Sequence, residues 1–205
     1  MYAFTKRLFD ILASLLGLTV AAPLFVLIGM LIRRDSPGPI LYRGIRAGKD
    51  GRPFAMLKFR TMVMNADQIG GPSTAADDPR LTRTGRWLRK YKLDELPQLI
   101  NVLRGEMSLV GPRPEVLSEV EGYSANERTL LTVRPGITDW ASMRFNDEGE
   151  ILQGCSDPHQ AYLERIRPEK MRLGLEYVHT RSLLLDMQIV VQTVAAIFTT
   201  RARSR

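Results

Sequence analysis

At 205 residues the chain is long enough to bury one real core, with or without an appendage. A net charge of +7 and a pI near 9.8 ask for an anionic partner: nucleic acid, an acidic membrane surface or phosphorylated substrates. The single cysteine, Cys155, excludes an intramolecular disulfide and suits a cytosolic setting, and there is no internal repeat or long low-complexity tract.

From Ile11 to Ile32 the sequence carries no charge. As a helix rising about 1.5 Å per residue, that run reaches ~33 Å, enough to cross a bilayer. It is too long for a signal peptide, and Arg33-Arg34 follow it instead of a small-residue cleavage site. Lys6 and Arg7 stand before the run and Arg33 and Arg34 after it, so both ends favour the cytoplasmic side. Pro23 frees the carbonyl of Thr19 and crowds it. A re-entrant helix broken at Ala22-Pro23 satisfies charges and proline together, with the hydroxyls of Ser14 and Thr19 as partners for the freed backbone. The plainer alternative is a spanning helix with one kink; the same-sign flanks favour re-entry.

From Asp35 the composition becomes that of a soluble domain. Ser36 to Pro39 reads as a turn, Ile40 to Tyr42 as a short strand, Ala47 to Gly51 as a hairpin turn and Pro53 to Phe59 as the returning strand. Lys58 and Arg60 fall on one side of that strand, as phosphate ligands or, on their own merits, as a solvated face. Asn65 to Asp78 reads as a mobile loop. A helix beginning near Thr84 interleaves Trp87, Leu88 and Tyr91 with Arg86, Arg89, Lys90 and Lys92. It suits a lipid headgroup layer or the surface of its own domain.

The densest chemistry lies between Lys92 and Pro114. Asp94 and Glu95 precede an apolar-periodic run (Leu96, Leu99, Ile100, Leu103) that Gly105 stops as a C-cap, and Pro97 falls where a first turn tolerates it. The two carboxylates are thereby expected at a helix N-terminus, which favours their ionised form. Such a pair is also ordinary helix capping. An arginine locked between prolines, Pro112-Arg113-Pro114, is not called for by any cap. With Arg89, it makes the stretch suited to phosphate.

Beyond it, Glu115 to Leu131 is predicted helical, and Val133 to Thr138 feeds a strand near Trp140. Ala161 to Tyr177 is again helical, and a last helix over about Ser182 to Thr199 sets Leu183, Met187, Val190, Val194 and Ile197 on one stripe. Arg201, Arg203 and Arg205 end the chain and suit anionic lipid. His159 and His179 stand alone and suggest no chemistry.

Several of these segments together resemble the bacterial sugar transferases, the monotopic phosphoglycosyl transferases that load polyprenyl phosphate. They are the proline-interrupted apolar start, Gly-Pro-Ile-Leu-Tyr at 38–42, Lys58 to Met62, Asp78-Pro79-Arg80, Leu93 to Pro114, and Arg134 to Thr138. The resemblance implies an α/β fold, mostly helical with a small β-hairpin or sheet. It divides the chain into a re-entrant membrane element at 1–34 and a cytoplasmic catalytic domain at 35–205, and reads it as the minimal form of the family. It implies transfer of a sugar 1-phosphate from a UDP-sugar to polyprenyl (undecaprenyl) phosphate at the cytoplasmic face of the bacterial inner membrane, releasing UMP. That is the first membrane step of surface polysaccharide assembly. Asp94 is then the nucleophile, forming an aspartyl phosphosugar, with Glu95 beside it either orienting the metal or moving a proton. Lys58, Arg60, Arg89, Pro112, Arg113 and Pro114 are implied to surround the phosphates, and Asp94 to hold Mg²⁺. A homodimer is compatible with it.

This chain has Asp139-Trp140-Ala141-Ser142 where many members have Gly-Trp-Ala-Gln, which bears on the sugar, and Ala22 where some carry serine. Two rival readings differ in class. A nucleic-acid binder explains the pI but not the apolar run, and no recognised nucleic-acid motif is present, so no nucleic acid is expected as a partner. A membrane scaffold without chemistry explains the apolar run but not the arginine between prolines. No Asp-x-Asp triplet, Gly-Lys-Ser/Thr loop, His-Glu-x-x-His or Gly-x-Ser-x-Gly motif points to another enzyme class.

Overall fold

Helix α1 (Tyr2–Asp35) runs without interruption through Pro23. The computed structural model describes residues 2–69 and 73–203, with the backbone alone at 67 and 197–203. The expected break at Ala22-Pro23 is therefore corrected: an interior proline costs about 3 kcal/mol, a sum that packing on both sides of it can offset. On one side Phe9 and Ala13 pack against the main core; on the other Ile28 and Ile32 are buried with Phe59 and Leu88. The Thr19 hydroxyl bonds the carbonyl of Leu15 at 2.9 Å, while the buried Ser14 Oγ has no partner among the described residues. The opposite face is apolar and exposed, with Phe4, Leu12, Leu16, Val20 and Val26 each more than half uncovered.

The first turns of α1 are tied down by polar contacts. Arg7 donates to the carbonyls of Val102 and Leu103 at 2.6 and 2.9 Å, and Lys6 bonds Asp186, a fully buried carboxylate, at 2.9 Å. Asp10 accepts from the Ser108 hydroxyl and the Leu109 amide. Lys6 and Arg7, predicted as membrane-flanking charges, are thus spent inside the protein. Arg33 and Arg34 have no hydrogen bond or ion pair among the described residues.

Strands β1 (Leu41–Ala47) and β2 (Pro53–Phe59) form an antiparallel hairpin from Leu41↔Phe59 to Ala47↔Pro53. The turn is where the sequence places it, with Asp50 and Gly51 at positive φ. Then follow α2 (Ala66–Ile69), α3 (Arg83–Lys90) and α4 (Gln98–Arg104). The side chain of Thr82 caps α3 by accepting from Gly85, and Asp35 at the end of α1 accepts from Thr84. Gly105, at φ 80°, ends α4 as predicted.

The remainder comprises β3 (Ser108–Val110), α5 (Leu117–Glu121), β4 (Gly136–Thr138), α6 (Trp140–Arg144), α7 (Glu148–Ile151), α8 (Pro158–Arg165), α9 (Arg167–Thr180) and α10 (Leu183–Arg203). β3 and β4 pair in parallel, Ser108 opposite Gly136 and Val110 opposite Thr138. Mostly helical architecture around two small sheets agrees with the sequence.

Four expectations need correcting. The helix expected over 115–131 is α5 followed, past Gly122, by a 3₁₀ segment at Glu127–Thr132. The one expected over 161–177 is divided at Ile166, because Pro168 lacks the N–H an interior position needs. The strand near Trp140 ends at Thr138, since the Asp139 side chain caps α6 by accepting from Ser142 at 2.7 Å. The loop expected to be mobile is docked at its far end: Ala75 packs with Leu152, Tyr162 and Ile166, and the Ala76 amide bonds the Gly149 carbonyl. On α10, Leu184, Met187, Val191 and Val194 are exposed and Ile189 is fully buried. The side chains of Ile197, Arg201 and Arg203, and the whole of Arg205, lie outside the described residues.

Asn101, fully buried on α4, fastens this helix to the hairpin. Its Oδ1 accepts from the Leu57 amide at 2.9 Å, and its Nδ2 donates to the carbonyl of Ala55 and to Glu106. Asn101→Ala strands the Leu57 amide and the Ala55 carbonyl. We expect it to destabilise the protein by roughly 2–6 kcal/mol, at about 1–3 per stranded group, measured by denaturant unfolding in detergent.

Candidate active site

Three elements deliver the candidate side chains to one place. β2 brings Lys58 near its end. The chain leaving α3 reverses at Lys92, at φ 55° and ψ 21°, into a 3₁₀ turn of Leu93, Asp94 and Glu95. β3 leads through Gly111 to Pro112-Arg113-Pro114. That last segment is placed by a backbone crossing: a Cβ on Gly136 would lie 2.1 Å from the amide nitrogen of Gly111, so only glycine fits. α3 is seated in a similar way, since a Cβ on Gly85 would meet the Thr61 carbonyl oxygen at 1.9 Å.

Glu95 is the hub. Its Oε1 accepts from Lys58 Nζ at 2.8 Å and from Arg113 Nη2, and its Oε2 from Arg113 Nη1 at 3.4 Å. Burial alone would push the Glu95 carboxyl up. Arg113 and Lys58 outweigh it and hold the group well below the usual carboxylate range.

Asp94 is only 4% exposed, and its carboxylate makes no hydrogen bond or ion pair among the described residues. Burial pushes its carboxyl above the ordinary value, opposed by Lys58 and by Arg89 and Lys92, while the Glu95 charge adds to the rise. The dyad does not occupy the helix N-terminus that the sequence suggested. α4 starts only at Gln98, behind Pro97, and burial outweighs any help a helix end gives Asp94. The dyad is thus split into a carboxylate saturated with cations and one left free.

Arg89 donates from Nε to the Thr61 hydroxyl at 3.1 Å and faces Asp94, Asp78 and Glu95. Behind it, Asp78 holds Arg80 through two oxygens. Arg60 is placed elsewhere than predicted: its Nε donates to the Pro39 carbonyl and its Nη1 and Nη2 to the hydroxyl and carbonyl of Ser36. With every guanidinium nitrogen engaged there, it secures the turn after α1 and leaves the dyad to Lys58.

Pro112, Arg113 and Pro114 line a narrow cleft of about 30 Å³, shared with Tyr123, Asp139, Ser142 and Lys170. It has room for water and, in this form, none for a sugar ring. Among the described residues no three His, Cys, Asp or Glu side chains cluster as a metal cage. A cation that needs one carboxylate and takes its other ligands from phosphates and water still fits, because the Asp94 oxygens are not spoken for.

The sequence reading missed Asn101 and Thr61 and gave Lys92 only a place on a helix. Asn101 was detectable as a polar residue inside the apolar run Leu99 to Leu103. Thr61 was visible only as a member of the Lys58 to Met62 segment, with nothing to mark its contact with Arg89.

The sequence pattern of the bacterial sugar transferases matches residues 1–200. The UDP-glucose:undecaprenyl-phosphate glucose-1-phosphate transferase of Caulobacter vibrioides is 40% identical over 198 residues, 95% of this chain and 70% of that protein. The UDP-N-acetylgalactosamine-undecaprenyl-phosphate N-acetylgalactosaminephosphotransferase of Aeromonas hydrophila is 36% identical, with 97% of this chain but 45% of that protein aligned. The exopolysaccharide production protein ExoY of Sinorhizobium fredii is 38% identical, with 96% of this chain and 87% of that protein aligned. The chain thus spans well under two thirds of one of these relatives and most of the other two.

The depressed pKa of Glu95 carries a pH dependence. A folded value below the unfolded one near 4.5 contributes stability that is complete above that pH and is lost as pH falls through the folded value. Glu95→Gln should therefore lower stability by roughly 3 kcal/mol at pH 7, the effect of breaking a buried pair. In melting curves recorded from pH 7 into acid, the gap to the native protein should close.

Proposed function

The chain belongs to the bacterial sugar transferase family, and from that premise we propose that it moves a sugar 1-phosphate from a UDP-sugar to polyprenyl phosphate, with Asp94 as nucleophile. The observation that carries the assignment is the division of labour in the dyad. Glu95 is neutralised by Lys58 and Arg113, whereas the buried Asp94 carboxylate is unpartnered beside Arg89.

In the first step an Asp94 oxygen attacks the β-phosphorus of the donor. A new P–O bond forms as the bond to the bridging oxygen breaks, and UMP departs with that electron pair. In the second, a phosphate oxygen of the polyprenyl acceptor attacks the same phosphorus, forming the lipid diphosphate sugar and restoring the carboxylate. One hard displacement becomes two easier ones. Lys58, Arg89 and Arg113 offset charge on the phosphoryl oxygens. Glu95 holds Lys58 and Arg113 in position for that task. Asp94 and the donor phosphates would hold Mg²⁺, which supplies further charge neutralisation when bound.

Family membership and the long apolar helix make this a membrane-associated protein. We place it on the cytoplasmic face of the inner membrane, with the element at 1–34 serving the catalytic domain at 35–205. What supports same-side seating is that α1 touches that domain at both ends, at Arg7 on α4 and at Ile32 beside Leu88. A helix held to one domain near residues 7 and 32 keeps both of its ends on that domain's side, lying along the membrane surface and not turning back within it. Its exposed apolar face is left for lipid.

The deciding experiment is mass analysis of the detergent-held protein with Mg²⁺ and a panel of UDP-sugars, without acceptor. An adduct of sugar-phosphate mass on Asp94, with UMP released, is expected, and Asp94→Asn should abolish both. Normal turnover by Asp94→Asn overturns the assignment. Cysteines introduced near Phe4 and at Arg34 should both be labelled only from the cytoplasm; periplasmic labelling of either would mean a true span.

A further inference from the structure

Lys92 breaks a local rule at the edge of the site. Among the described residues, three that are not glycine have positive φ: Asp50, Asn65 and Lys92. Aspartate and asparagine adopt this left-handed conformation readily; lysine does not. The strained residue sits two positions before Asp94, at the cap of the turn that carries the dyad; its side chain is exposed, and its charge acts on Asp94 and Glu95.

The neighbouring cations are already engaged. Lys58 and Arg113 bond Glu95, and Arg89 bonds Thr61. The Lys92 ammonium has no hydrogen bond or ion pair among the described residues, and it feels like charge from Arg113 and Lys58. A free ammonium in a ring of cations around two carboxylates is matched by one kind of ligand, a multiply charged anion.

Building on the reading of Asp94 above, we propose that Lys92 is a substrate-binding residue whose ammonium takes a phosphate oxygen at the dyad. Two molecules in the reaction bring such an oxygen, the nucleotide diphosphate donor and the polyprenyl phosphate acceptor.

The test uses the full chain in detergent and needs no turnover. Equilibrium binding of UDP-glucose, and separately of undecaprenyl phosphate, is measured for the native protein, Lys92→Asn and Lys92→Arg. Asparagine keeps the left-handed backbone and removes the charge, whereas arginine keeps the charge.

Lys92→Asn should weaken one probe about tenfold, the usual scale of a charge-assisted hydrogen bond, and flatten its salt dependence; Lys92→Arg should restore both. Weakening of UDP-glucose alone assigns the donor, and of undecaprenyl phosphate alone the acceptor. Native binding that Lys92→Asn leaves unchanged overturns the proposal by itself, as does equal weakening by Asn and Arg. Failure of the native protein to bind either probe overturns the reading of the site and this proposal with it.

Discussion

One carboxylate gathers cations from parts of the chain that are distant in sequence. Glu95 draws in Lys58 from the hairpin and Arg113 from the segment after β3, separated from it by 37 and 18 residues. Without that anion, two positive side chains would face each other across a partly dry site, a costly arrangement. Much else serves to bring these three groups together. Asn101 binds α4 to β2, the Gly111–Gly136 crossing positions the proline-flanked arginine, and Lys92 adopts an unfavourable backbone to set the turn. The acid that organises the site is thus distinct from the acid that is left without a partner among the described residues.

The dyad and its proline-bracketed arginine were legible because their neighbours are improbable for any purely structural role. The hairpin turn and the Gly105 cap were legible because each depends on local backbone preference, which sequence encodes directly. Arg60 was misassigned for the opposite reason. Alternation along a strand gives the side a residue faces but not its partner, and Ser36 and Pro39 come to Arg60 only through the tertiary turn after α1. The pKa of Asp94 was misjudged in direction because a helix terminus is a local feature while desolvation belongs to the whole fold. Pro168 was visible all along; the good helix formers around it masked its effect.

The membrane helix shows how two arguments can reach one place by different routes. Flanking charge suggested that both ends of α1 stay on one side. In the folded protein Lys6 and Arg7 are occupied by Asp186 and the end of α4, so they offer little to lipid headgroups. The proposed same-sidedness rests instead on contact between both ends and one domain. Arg33 and Arg34 remain the pair with charge to present outward.

Those first turns also determine what happens if the protein is shortened. Cutting away α1 to obtain a soluble enzyme would remove Lys6 and Tyr2 from Asp186, leaving a fully buried carboxylate with the Tyr177 hydroxyl as its remaining hydrogen-bond donor in the fold described. It would also take Asp10 from the Leu109 amide and Arg7 from two carbonyls at the end of α4. A buried ion without its counter-charge is among the most damaging defects a small core can carry. The long apolar helix is therefore no detachable appendage, and an enzyme freed of it would be an enzyme with its foundations removed.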